Sequence, residues 1–162
     1  MGGRAAPAAT GRLVAIELDP DSLGSGGSVI DGERAAAIRD LLEGNTFLPA
    51  GRAGAFRLRL AILDNKLVLD VAEAGGGPSV RHILSLAPLA RVIKDYFLIC
   101  DSYEAALRSA PAARIEAIDM GRRGIHNEGA ETLRERLKGK IEVDFETARR
   151  LFTLVCALRL KG

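Results

Sequence analysis

Hydrophobic positions alternate with polar ones along the first half of this chain and recur every three to four residues along the second. Period two predicts half-buried strands, and the longer period predicts amphipathic helices. A first strand is expected over residues 12–19, with Val14, Ile16 and Leu18 facing away from Ala15 and Glu17. A glycine- and serine-rich loop from Pro20 leads to a helix over 31–43, with Ala35, Ile38, Leu41 and Leu42 inward. Gly44 is placed to end it in the left-handed conformation. Residues 45–54 read as a loop. Phe56, Leu58, Leu60 and Ile62 then alternate with Arg57, Arg59 and Ala61, and Asp64-Asn65-Lys66 makes a tight turn into Leu67, Leu69 and Val71. After the Gly75–Gly77 break, a third strand over 80–86 puts His82 on the apolar face with Val80, Leu84 and Leu86. One wet face implies an α+β fold: an antiparallel, mostly meander sheet of about four strands, with a layer of C-terminal helices on one side.

From Pro88 the spacing of Leu89, Ile93, Tyr96, Cys100, Tyr103 and Leu107 predicts a long helix. Ser109-Ala110-Pro111 marks the start of another, which carries Ile115 and Ile118. Leu133 and Leu137 point inward in a helical stretch ended by Gly139. Asp144 caps a final helix that is apolar almost all round from Leu151 to Leu158 and so belongs at the centre of its layer.

A chain of 162 residues is one domain's worth, expected over 12–162 behind a disordered lead-in at 1–11. Net charge is +2 and evenly spread, which argues against a nucleic-acid-binding surface. No apolar run nears the about 18 residues of a membrane span, no secretory core precedes Arg12, and Ala6 breaks the myristoylation pattern. Cys100 and Cys156 sit in apolar helical runs and read as small buried hydrophobes, reduced, in a cytoplasmic protein.

Chemistry concentrates in Asp119-Met-Gly-Arg-Arg-Gly-Ile-His-Asn-Glu128. An unbroken helix would string Glu116, Asp119, Arg123 and His126 along one face. A break with Gly124 as left-handed terminator and Asn127 as the next cap explains more residues with one device, and is the expectation. Structurally, the arginines suit a helix C-terminus and Glu128 and Glu131 the start of the next. Functionally, two guanidiniums beside an amide fit a phosphate or carboxylate.

No metal-ligand spacing, phosphate loop, nucleophile elbow or dinucleotide fingerprint accompanies them, so no cofactor is expected. The residues after His126 do not match a phosphoacceptor pattern. A DNA-reading helix from Asn127 would carry Glu128, Glu131 and Glu135 against phosphates. His82 reads as a hydrogen-bonded core histidine.

Three stretches, Ile93-Lys-Asp-Tyr-Phe-Leu-Ile-Cys-Asp-Ser-Tyr-Glu104, Ile115 to Gly129, and Val143-Asp-Phe-Glu-Thr-Ala-Arg-Arg-Leu-Phe-Thr-Leu154, carry a resemblance. With the strand pattern at 56–69, the chain closely resembles a small alphaproteobacterial family of uncharacterised proteins, from Arg12 to near its end. That resemblance implies a bacterial, intracellular setting and supplies no activity, cofactor or catalytic residue.

The expected function is a non-catalytic binding or regulatory protein for a protein partner or small anionic ligand. Its surface would centre on Glu116, Asp119, Arg122, Arg123, His126, Asn127 and Glu128. The alternative is a small hydrolase or transferase on a phosphate- or carboxylate-bearing substrate, with His126 as acid/base and Arg122 and Arg123 as clamp. The outer sheet face, with Glu17, Arg57, Arg59, Asp70 and Arg81, reads first as ordinary solvated strand residues and only second as a partner surface.

Overall fold

A computed structural model describes residues 10–23 and 28–159. The expected lead-in therefore lies outside the described residues up to Ala9, as do residues 24–27 of the first loop. Strands β1 (Gly11–Leu18), β3 (Gly54–Leu63), β4 (Lys66–Glu73) and β5 (Val80–Ser85) form one sheet in the order β1-β3-β4-β5. β3, β4 and β5 are the expected antiparallel meander. Asp64 and Asn65 turn the first hairpin with φ of 50° and 59°, the left-handed geometry that matches strand twist.

The expectation of a purely antiparallel sheet is corrected at its edge, because β1 pairs parallel to β3 and the sheet is mixed. Helix α1 (Ser28–Glu43) runs between them and supplies the crossover that a parallel neighbour requires. β1 also bulges between Leu13 and Ala15. The extra residue lets Leu13 face the core with Phe56 while Ile16 and Leu18 still join Leu58 and Leu60. Val14, expected inward, is pushed out.

Part of the expected 45–54 loop is a short strand. β2 (Phe47–Pro49) pairs with β6 (Ile141–Val143) beside the open edge of β1. Asn45 closes that edge: its Oδ1 accepts from the Leu13 amide at 2.7 Å, and its Nδ2 donates to the Leu13 and Leu41 carbonyls. Gly11 is required there, since a Cβ would lie 2.2 Å from the Phe47 carbonyl oxygen.

Of the helices, α4 (Phe145–Arg159) and α1 pack directly on the four-stranded sheet, and α2 (Ala90–Ser109) and α3 (Ala112–Leu137) pack on each other and on α4, so the layer is not made of C-terminal helices alone. A 3-10 turn at Ala87–Leu89 holds Pro88 and leads into α2. Asp144 caps α4 as expected, its Oδ1 accepting from the Thr147 amide at 2.9 Å. Every residue from Leu151 to Leu158 is buried, which places α4 at the centre. Gly139 ends the α3 region with φ of 82°, whereas Gly44 does not take the left-handed form. On α1 the buried side chains are Ile30, Ala37 and Leu41. Ala35 and Leu42, expected inward, are exposed, because α1 rests on α4 by a different stripe.

Candidate functional site

The polar stretch lies on one unbroken helix. Residues 112–137 are helical throughout, so the expected break at Gly124 and the cap at Asn127 are corrected. Three interior glycines, Gly121, Gly124 and Gly129, each cost about 1 kcal/mol of helix propensity. Packing along α2 and α4 overrides that cost: a Cβ on Gly121 would sit 3.6 Å from Ile99, and one on Gly129 would sit 2.5 Å from the Phe152 ring. No room is taken near Gly124, and nothing in the structure explains why it is glycine.

Helical continuity sorts the side chains by angle. Asp119, Arg122, His126, Ala130, Leu133 and Leu137 step by three and four residues and are buried or half-buried. Glu116, Arg123, Asn127 and Glu128 are exposed. The seven candidate residues therefore do not form one patch.

Arg122 bridges two helices. It pairs with Glu33 of α1 and donates to Asp119 Oδ1 at 2.5 Å, while its guanidinium lies 4.3 Å from the centre of the Tyr103 ring. Burial works against the charge on Arg122. The hydrogen bond to Asp119 and the field of Glu33 outweigh it and raise the pKa. Asp119 is correspondingly held below the usual carboxylate range, first by the hydrogen bond from Arg122. Its other oxygen accepts from Arg123 at 2.8 Å on the solvent side.

His126 points the other way from solvent, between Tyr96 at 4.9 Å and Phe152 at 6.3 Å between ring centres. Its Nε2 lies 3.1 Å from Thr153 Oγ1, and that hydroxyl also donates to the Arg149 carbonyl at 3.3 Å. With the hydroxyl proton on the carbonyl, Nε2 carries the ring proton and donates to Oγ1. Burial, followed by the charges of Arg149 and Arg122, pushes the His126 pKa down to about 4 against the pull of Asp119. The imidazole is neutral at physiological pH.

A crevice of about 150 Å³ opens beside it. Glu33 and Asp40 of α1, His126, and Arg149, Arg150 and Thr153 of α4 line the opening. Arg149 and Arg150 share Glu146 at 3.4 and 3.9 Å. The Nε atoms of Arg149 and Arg122 are buried and have no hydrogen-bond partner among the described residues. Buried donors of this kind are normally met by water, an ion or a ligand.

The residues contributed by α1 and α4 lie far along the chain from the polar stretch, and no local pattern marks them. Thr153 gave the one usable signal, a hydroxyl inside an otherwise apolar run that needs a partner when buried. Tyr96 is fully buried, and burial raises its phenol pKa. Cys100 and Cys156 are buried and free, as expected; burial pushes the Cys100 thiol up to about 11 and raises that of Cys156.

His82 is only half-buried and makes no side-chain hydrogen bond among the described residues, so the core-histidine expectation is corrected. Its strand is the sheet's outer edge, where Val80 too is exposed. Burial, then the charge of Lys140, lowers its pKa. No cluster of three or more His, Cys, Asp or Glu able to hold a metal ion occurs among the described residues. No helix among them is long and apolar enough to cross a membrane.

No solved structure matches the chain. Named relatives do. A UPF0262 protein of Azorhizobium caulinodans is 58% identical over 154 residues, covering 93% of this chain and 95% of the relative. One from Nitrobacter winogradskyi is 57% identical over 152 residues (93% and 91%), and one from Brucella canis 55% over 153 residues (93% and 95%). Residues 10–161 match the profile built for this group, and the chain belongs to the uncharacterised protein family UPF0262.

Proposed function

We propose that the protein is a non-catalytic binding protein that takes a small anion into the crevice between α1, α3 and α4. The observation that carries this reading is the buried, unpartnered Nε of Arg149 beside a neutral His126. A guanidinium with a spare donor suits one oxygen of a phosphate or carboxylate. At about 150 Å³ the space is below the roughly 300 Å³ at which organic-ligand pockets begin, so the guest is an ion or a very small acid. Glu33 and Asp40 on the opposite wall limit how much negative charge is welcome, which favours a monoanion. Binding there would tie α1 to α4 and stabilise the helical layer.

The enzymatic alternative has one feature in its favour, the 3.1 Å contact between the Thr153 hydroxyl and the His126 ring. Yet a histidine with a pKa of about 4 carries almost no proton to donate at neutral pH and is a weak base. The test is thermal shift against inorganic phosphate, acetate and formate. Stabilisation by at least one that is abolished in Arg149→Met supports capture. No stabilisation by any of the three, or shifts unchanged in the variant, sinks it.

A further inference from the structure

The outer face of the sheet holds a second feature, independent of the crevice. Its side chains fall into rows across the strands. Glu17, Arg59, Asp70 and Arg81 stand side by side in register, an alternating row of negative and positive charge over four strands. Arg81 engages both oxygens of Asp70 at 2.8 and 3.2 Å, and Arg59 reaches Glu17 and Asp19 at 3.7 and 3.2 Å. This row is electrostatically closed on itself.

The neighbouring row is different. Arg57 stands between Ala15 on β1 and Ala72 on β4, with a methyl group on either side instead of an acid. It is exposed and has no ion-pair or hydrogen-bond partner among the described residues. Two alanines beside a long arginine leave a hollow, and a concavity of about 550 Å³ is found there, lined by Ala15, Arg57, Ala72, Ser79 and the flank of the charged row. That volume falls within the range of small-molecule sites.

We infer that this hollow is a binding site for a small organic anion with a flat apolar body, its carboxylate or phosphate held by Arg57. Charge fixes the sign. Each neighbouring acid, Glu17 and Asp70, is already paired within its own row, so the one uncommitted charge in the hollow is positive. Shape fixes the body: the alanine methyls make a shallow floor that admits a ring edge-on or flat, and a guanidinium stacks on planar groups. Ser79, just before β5, also lines the hollow and carries a hydroxyl suited to a second oxygen.

The experiment is amide chemical-shift titration of the full chain with benzoate, adenosine monophosphate and inorganic phosphate. Saturable shifts centred on Ala15, Arg57 and Ala72, from benzoate or adenosine monophosphate, are expected. Arg57→Ala should weaken them at least tenfold, and Arg57→Lys should weaken them less. Arg149→Met should leave them unchanged, which separates this site from the crevice. Three outcomes would overturn the inference: no saturation with either organic anion up to about 10 mM; equal binding by Arg57→Ala; or shifts at this face from an oligoglutamate peptide alone.

Discussion

The two sides of the sheet use arginine and acid in contrasting ways. On the outer face Glu17, Arg59, Asp70 and Arg81 neutralise one another between strands in contact with water. Within the helical layer, Arg122 draws Glu33 from one helix and Asp119 from its own into a half-buried group capped by Tyr103. Side chains of the same kind serve different ends. In water, Coulomb attraction is screened and the pairs mainly set register and solubility. Away from water each charge depends on its partner, so loss of one leaves another desolvated. The same contrast separates two of the arginines with spare donors: Arg57 is exposed and free to recruit, whereas Arg149 presents a buried Nε.

The largest effect expected is on the pH dependence of stability. His126 has a folded pKa near 4, below its ordinary value of 6.5, so the unfolded chain takes up a proton that the folded one refuses. Its contribution is complete above about pH 6.5 and declines as pH falls towards 4, by about 3 kcal/mol in all. Urea unfolding at stepped pH should show that slope in the wild type and a flatter one in His126→Gln; identical slopes would mean the histidine is not held neutral.

Next is Arg122→Met, which removes hydrogen bonds to charged groups and leaves Glu33 and Asp119 facing a thioether. A loss of about 1.5–3 kcal/mol is expected, with little relief from added salt. Stability within error of wild type would show this group to be as dispensable as the outer row. Gly129→Ala should cost about 1–3 kcal/mol, since its methyl would meet the Phe152 ring at 2.5 Å. Pairing it with Phe152→Leu should recover part of the loss if the clash is the cause. The smallest effect is on the sheet face: Arg81→Ala should leave the melting temperature nearly unchanged in about 0.5 M salt, where the Debye length falls to about 4 Å and a solvent-exposed ion pair contributes little. A clear drop there would erase the contrast between the two sides.

Much of the frame was legible in advance. The strict alternation at Phe56–Ile62 and Leu67–Val71 gave the hairpin, the capping residue Asp144 gave the start of α4, and the apolar run at Leu151–Leu158 gave the centre of the layer. Other features were not legible. The parallel pairing of β1 depends on where α1 lands, which no local period records. The bulge at Val14 moves one residue out of a sequence that alternates smoothly. The Arg122 and His126 sites draw half their partners from Glu33, Asp40, Arg149 and Thr153, residues far away along the chain.

The glycine-marked stretch shows the division most clearly. Sequence fixed which charges and which ring would be close together on the chain, because spacing is covalent. Whether Gly124 ended a helix depended on neighbours, since a propensity penalty of about 1 kcal/mol is smaller than the packing of a whole helix face. Once α2 and α4 held residues 112–137 straight, the helical angle alone sent Arg122 and His126 inward and left Asn127 and Glu128 in water. Composition decided what could meet; the packing of four helices on one another and on the sheet decided what did.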